Sequence, residues 1–337
     1  MVFLLQVARA ACAAALLAGW ASAAYAETNV VRLTKQFGLI YLPIDVMVHN
    51  KLIEKRAQEN GLPDVRVELV KLSGGSSLNE VLLAGQVDFV SAGVPPLLTI
   101  WDKTRSGLDV RAVGGISVVP MVLTSNNPSV KTIADFTEQD RIALPAPKVS
   151  IQAIVLQMAS EKLLGDASKL DKITVAMTHP DVIGTLRNGP GRSAVSGHFS
   201  IPPFTEQALA LPGVHKVLDS HEFLEGPYTQ IVLYNTRRWK EENPRLFRAV
   251  AQALDDAMDV INADKRSAAA IYIAANGTKD SVEGITEIIS NPQFQFTSTP
   301  LRTMLFADFL NRQGLLKNKP ASWRELFWEN QHGRDGS

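Results

Sequence analysis

From residue 30 onward the apolar positions alternate between short β-type runs and longer helical stripes. Residues 30–34 read as a strand, and a loop through Gly38 follows. Ile44, Met47, Val48 and Leu52 then share one helical face, which Gly61-Leu62-Pro63 ends. Residues 65–70 alternate as a half-buried strand does. A short helix over 78–83 stops at Gly85, and a third strand over 87–91 breaks at Gly93 before Pro95 and Pro96 open another helix. Trp101, inside that helical pattern, reads as core. Strands at 110–113 and 120–124 complete this part of the chain.

The turn cluster Ser125-Asn126-Asn127-Pro128 suits a crossover, and a second unit of similar design is predicted beyond it. Its strands are expected at 141–144, 172–176 and 193–196, and its helices at 150–164 and 181–186. In the first of these helices Ser150 is a natural N-cap, Ile151, Ile154, Val155 and Met158 form the buried stripe, and Gly165 closes the end. A strongly apolar strand at 229–235 then returns the chain to the first unit. Leu246, Val250, Leu254, Met258 and Ile261, and later Met304, Leu305, Phe309 and Leu310, mark amphipathic helices of a C-terminal section. Strands regularly separated by helices predict parallel α/β sheets.

The 337 residues suffice for two compact units. Equal numbers of basic and acidic side chains, 34 of each, give no reason to expect nucleic acid or an anionic membrane surface as partner. Arg9, the apolar stretch 10–21 and Ala24-Tyr25-Ala26 have the form of a secretory leader cut after Ala26, which implies the periplasm. The apolar stretch is too short to span a bilayer comfortably. The single cysteine, Cys12, lies inside that leader. A processed chain would hold no thiol, hence no disulfide, no thiolate metal site and no cysteine nucleophile. The six histidines are scattered without ligand spacing, and no phosphate loop, His-Glu-x-x-His pair or nucleophile elbow occurs. Binding without catalysis, and without metal or cofactor, is the expectation.

Ligands of open parallel sheets sit beyond the carboxyl ends of the strands. The loops 38–41, 73–77, 92–95 and 147–151 qualify. Ser73, Gly74, Gly75 and Ser76 combine glycines that admit a ligand to the backbone with hydroxyls and free amides at a helix start, which suits an oxyanion or carboxylate; a plain capping turn is the other reading. Ser150 likewise serves either as a cleft residue or as a cap alone. His198 and Phe199 lie where a strand of the second unit ends, and His198 is either a donor to the ligand or a satisfied buried polar residue. Tyr41 is the best aromatic candidate for the cleft wall. His179 either faces the cleft or caps the next helix, and the second reading is preferred. Gly38, Gly93 and Val94 complete the candidate ligand-binding set. None of these residues is Lys or Arg, which argues against a small, densely charged oxyanion as the sole fitting ligand.

The segment 72–89, with Gly85, Asp88 and Phe89 at its end, the run 30–38, and Ser91-Ala92-Gly93-Val94-Pro95-Pro96 carry a resemblance. They are similar to the substrate-binding proteins of ABC importers in the nitrate, sulfonate and taurine group, which also includes binders of thiamine-precursor pyrimidines. The resemblance implies the type II periplasmic binding protein fold, two doubly wound α/β lobes joined by a two-strand hinge. Residues 27–122 and 231–337 would form one lobe, 123–230 the inserted second, and 1–26 the leader. It also implies a monomer that captures a small anionic or polar organic solute and delivers it to a permease in the inner membrane. Two alternatives stay open. One is a periplasmic sensor, and the other is an enzyme on the same scaffold, akin to desulfinases or pyrimidine synthases, whose reliance on cysteine this chain does not match.

Overall fold

A computed structural model of the chain describes residues 26–72 and 77–337. The leader up to Tyr25 and the candidate loop Ser73, Gly74, Gly75 and Ser76 lie outside the described residues. In chain order the strands are β1 (Val30–Lys35), β2 (Arg66–Lys71), β3 (Val90–Gly93), β4 (Val110–Ser117), β5 (Val122–Ser125), β6 (Ile142–Leu144), β7 (Thr174–Ala176), β8 (Gly197–Ser200), β9 (His215–Asp219) and β10 (Ile231–Thr236).

Two sheets of matching design result. β1 and β2 pair in parallel, with Val30 opposite Arg66 and Lys35 opposite Lys71. A parallel bridge from Leu33 to Phe89 sets β1 beside the run into β3, and β10 lies antiparallel between β3 and β4. The first sheet therefore reads β2-β1-β3-β10-β4. The second reads β7-β6-β8-β5-β9, again parallel on one side with a single antiparallel strand, β5, one place from the edge. In each sheet the antiparallel strand is the one that arrives from the other lobe. Helices cover both, as an α/β construction requires to bury two apolar faces.

The chain thus crosses between lobes twice, through residues 118–121 and again through 220–230. The crossovers run side by side: Gln230 N–H donates to the Ser117 carbonyl at 2.8 Å and Ser220 N–H to the Met121 carbonyl at 2.9 Å. Met121 N–H and the Tyr228 hydroxyl both donate to Ser220 Oγ, at 2.8 and 2.9 Å. Val118, Val119, Met121 and Tyr228 have no exposed surface. Two adjacent connections with buried side chains therefore join the lobes.

Several local expectations match. Ser150 caps the helix Ile151–Leu164, accepting from Ala153 N–H, and Gly165 ends it in the left-handed conformation at φ 77. The stripe Leu246, Val250, Leu254, Met258 and Ile261 is the buried face of Pro244–Ala263, and Trp101 is core. Others need correction. The helical face from Ile44 to Leu52 belongs to two helices, Leu42–His49 and Leu52–Glu59, separated where Lys51 adopts φ 52; the apolar phase runs on across the break. The cluster at Ser125 to Pro128 is not the crossover, because β5 already belongs to the second sheet. The crossover is the apolar stretch before it, which carries no turn residues beyond Pro120. The strand expected at 193–196 is β8, shifted to Gly197–Ser200, where pairing with β5 and β6 on both sides sets its position.

One buried ion pair pins the end of β1 beside the cleft. Lys35 donates to Asp45 of the helix Leu42–His49 and, at 2.7 Å, to Asn276 Oδ1 of the helix Lys265–Asn276. Asn276 in turn donates to Asp45 Oδ2 at 3.0 Å. Burial pulls the Lys35 ammonium down and pushes the Asp45 carboxyl up, each toward neutrality, and their mutual attraction opposes both. Removing one partner strands the other charge, which costs about 3–5 kcal/mol. Lys35→Met is therefore expected to lower stability by that order in urea unfolding, and Lys35→Met/Asp45→Leu to recover much of the loss. Equal stability of wild type and Lys35→Met would show the pair to be inert.

Candidate functional site

The cleft between the lobes is closed on itself, and two glycines permit it. Gly38, at φ 114, occupies backbone that side-chain-bearing residues avoid, and a Cβ there would lie 2.5 Å from Ile201 Cδ1 of the second lobe. The next residue, Leu39, donates its N–H across the seam to the Pro202 carbonyl at 2.8 Å. Gly93, at the end of β3, has ordinary extended backbone at φ −62 and ψ 159. Its constraint is space: a Cβ would stand 2.8 Å from Cβ of Ile151.

Behind this seam lies an inner chamber with ≈ 30 Å³ of free space, enough for a water or two. Gln36, Tyr41 and Gly93 line it from the first lobe, and Ser150, Gln152 and His179 from the second. Its polar groups are neutral. Gln36 Nε2 donates to the Tyr41 hydroxyl at 2.8 Å, and burial raises the Tyr41 pKa well above its ordinary value.

His179 begins the helix His179–Leu186, whose cap is Thr178. Its ring stacks on Phe204 at 5.4 Å. Its Nδ1 lies 2.8 Å from Nε2 of His198 and its Nε2 lies 3.4 Å from the Gln152 amide. Burial pulls His179 down to about 3 and His198 well below its ordinary value, so both imidazoles are neutral at physiological pH. Nδ1 of His198 is buried without a partner. The Gln152 amide nitrogen can only donate, so His179 accepts at Nε2, carries its own hydrogen on Nδ1 and donates it to His198 Nε2. The pair is neutral and holds Gln152 on the cleft wall.

Gln36 and Phe37 also line a second, outer chamber of ≈ 760 Å³ as bounded by the described residues. It opens between the ends of β1 and β2 and the segment 272–280 on one lobe, and the helix His179–Leu186 with residues 203–207 on the other. Gln207 spans the gap, donating to both oxygens of Asp280 at 2.9 and 3.1 Å. Beside it Glu206 has a buried, unpartnered Oε2; burial pushes its carboxyl up to about 7, and the Asp280 charge adds to the shift.

Of the residues singled out in the sequence, Tyr41, Gly93 and Ser150 meet at the inner chamber and Gly38 lines the outer one. His198 reaches neither, lying fully buried behind His179. Phe199, its neighbour in β8, points to the opposite face as alternation requires, and is fully buried. Val94, the first residue of the helix Val94–Thr104, is core. His179, preferred as a cap, stands on the wall. Gln36, Phe37 and Gln152 carried no motif; only their places beside Gly38 and Ser150 pointed to them.

Two pH responses follow, with opposite signs. Glu206 titrates near 7 when folded against a reference of 4.5, so its stabilising protonation is present below 4.5 and lost as pH rises through 7. Glu206→Gln should raise the unfolding midpoint above wild type at pH 8 and match it at pH 4.5. His179, at about 3 against 6.5, penalises the fold as pH falls from 6.5 toward 3. His179→Gln should flatten that decline by up to about 1.4 kcal/mol per pH unit. Urea unfolding across the pH series measures both, and parallel wild-type and variant curves would contradict the assignments.

No family model matches the chain, and no curated protein matches it in sequence. Solved structures do. It is similar to the alkanesulfonate-binding protein SsuA of Xanthomonas axonopodis pv. citri, bound to MOPS, with 20% identity and a TM-score of 0.68 over 90% of this chain and 99% of that one. The periplasmic aliphatic sulphonate binding protein SsuA of Escherichia coli gives 19% and 0.66 over 91% and 100%. The periplasmic nitrate-binding protein NrtA of Synechocystis PCC 6803 gives 15% and 0.65 over 88% and 83%. At such identities the likeness carries architecture: this chain has the periplasmic binding protein fold, in agreement with the resemblance read from the sequence.

Proposed function

We propose that the protein is an extracytoplasmic solute-binding protein, exported by its leader, that closes two lobes over one small polar or anionic organic solute of the sulfonate, nitrate and taurine-like class. Residues 27–122 and 231–337 form one lobe and 123–230 the other. The closed form is then presented to the permease of an ABC importer, with no chemistry done on the solute. The observation that carries this reading is the seam: glycines at Gly38 and Gly93 let the lobes meet around a chamber whose donors come from both. In that arrangement a ligand stabilises closure by bridging groups that the open form holds apart. The sulfonate- and nitrate-binding neighbours lend the ligand class. The neutral wall of Gln36, Tyr41, Ser150, Gln152 and His179 supplies hydrogen-bond donors without a buried counter-charge.

A ligand that binds only the folded form adds about 2.7 kcal/mol of stability at a hundredfold excess over its dissociation constant. Thermal unfolding with sulfonates, nitrate, carboxylates, ureides and pyrimidines should show at least one strong upward shift. Gly93→Val, tolerated by the extended backbone at that residue, should hold the lobes apart and lower the affinity for that solute at least tenfold. No shift across the panel, or undiminished affinity in Gly93→Val, would refute capture by closure.

A further inference from the structure

We propose that the outer chamber is an anion subsite, taking a doubly charged terminal group, of the phosphate-monoester type, on the captured solute. The proposal rests on solute capture and assigns the two ends of the solute to two chambers.

Three cations face the outer chamber from separate elements: Lys71 at the end of β2, Lys279 in the segment after the helix Lys265–Asn276, and Arg187 just past the helix His179–Leu186 of the opposite lobe. Lys35, at the back, is already neutralised by Asp45. Among the described residues, none of the three is in an ion pair; Lys71 donates only to the Ala275 carbonyl, at 3.1 Å. Among the described residues the single carboxylate on the chamber wall, Asp280, is occupied by Gln207 and Thr278, and burial holds neighbouring Glu206 toward its neutral form. Two positive charges are left unbalanced. That is the charge of a phosphate monoester near neutral pH.

The placement also gives the anion a part in closure. When the lobes meet, Arg187 approaches Lys71 and Lys279, and like charges brought together oppose the motion. An anion between them reverses the sign and favours the closed form by its extra affinity for it. Arg187 offers a planar fork that suits phosphate oxygens, while the lysines act as point charges. Asn276 and Thr278 add hydrogen-bonding groups at the rim. Phe37, about half exposed, lines both chambers, and Ile183 and Phe204 give the outer one an apolar wall. The occupant is therefore an amphipathic molecule, its neutral polar head inward and its dianion outward.

The test uses inorganic pyrophosphate and phenyl phosphate as probes, with phenol and sodium chloride at matched ionic strength as controls. Thermal unfolding and small-angle scattering are followed for wild type, Arg187→Gln/Lys279→Gln and Gln152→Ala. Both phosphates should raise the wild-type midpoint and compact the protein at millimolar concentration, beyond chloride or phenol. The double variant, altered only at exposed residues, should fold as wild type and lose at least tenfold in apparent affinity for both phosphates, whereas Gln152→Ala should keep its response to pyrophosphate. An equal response to pyrophosphate and chloride, or an undiminished response in the double variant, would overturn the subsite while leaving capture intact wherever other solutes still protect. A full pyrophosphate response with no protection by any solute of the wider panel would instead remove capture and leave an isolated anion site.

Discussion

How near the two lobes can come is set at two positions that carry no side chain. At Gly38 and Gly93 the backbone of one lobe lies within van der Waals distance of Ile201 and Ile151 of the other, and the hydrogen bond from Leu39 to Pro202 locks the first of these approaches. Every property of the inner chamber descends from that contact. A methyl group at either site would wedge the seam, admit water, and return Gln152 and His179 to a high-dielectric setting where their hydrogen bonds are worth little net energy. Sealed, the same groups act in a low dielectric. The imidazole pair stays neutral there because burial disfavours its charged form.

The distribution of charge around the cleft follows the same logic. A charge taken out of water must be paired, and the one deeply buried lysine, Lys35, has Asp45 and Asn276 around it. The cations without carboxylate partners stand where the outer chamber opens to solvent, so the open form keeps them hydrated. Such groups attract an anion over the distance at which salt leaves their field unscreened, roughly 8–10 Å, before any contact is made. A neutral, selective interior behind a charged entrance divides recognition from attraction.

What could be read from the sequence was whatever local chemistry determines. Ser150 and Gly165 bracket their helix because a hydroxyl N-cap and a left-handed glycine act within a few residues, and β1 is a run of alternating apolar residues. The crossover was misplaced for a physical reason: Val118, Val119, Pro120 and Met121 are buried between lobes, so their composition is that of a strand and not of a turn. β9, whose residues mix His215, Lys216 and Asp219 with Val217 and Leu218, has too weak an alternation to stand out. Spacing offers His179 and His198 only as single residues and favours His198 for the cleft, whereas His179 stands on the wall and His198 is buried behind it. Their partnership exists only because β8 packs beside the helix His179–Leu186, a tertiary relation invisible in spacing. Arg187 and Lys279 line one chamber only because the two lobes lie side by side. The resemblance to importer binding proteins indicated the fold and the cleft, and it could not say which polar side chains this chain places there.

The position of β10 has a consequence for how the chain assembles. All five strands of the second sheet lie between Val122 and Asp219 in sequence, so that lobe can finish as soon as its own residues are available. The first sheet cannot. Its strands β3 and β4 do not touch each other; they are joined only through Ile231–Thr236, which arrives after the whole inserted lobe. During synthesis the earlier half of that sheet must wait with two open edges, a state prone to mispairing. Chain elongation therefore exposes this lobe to a delay proportional to the length of the insertion, and correct pairing depends on how quickly the returning strand emerges.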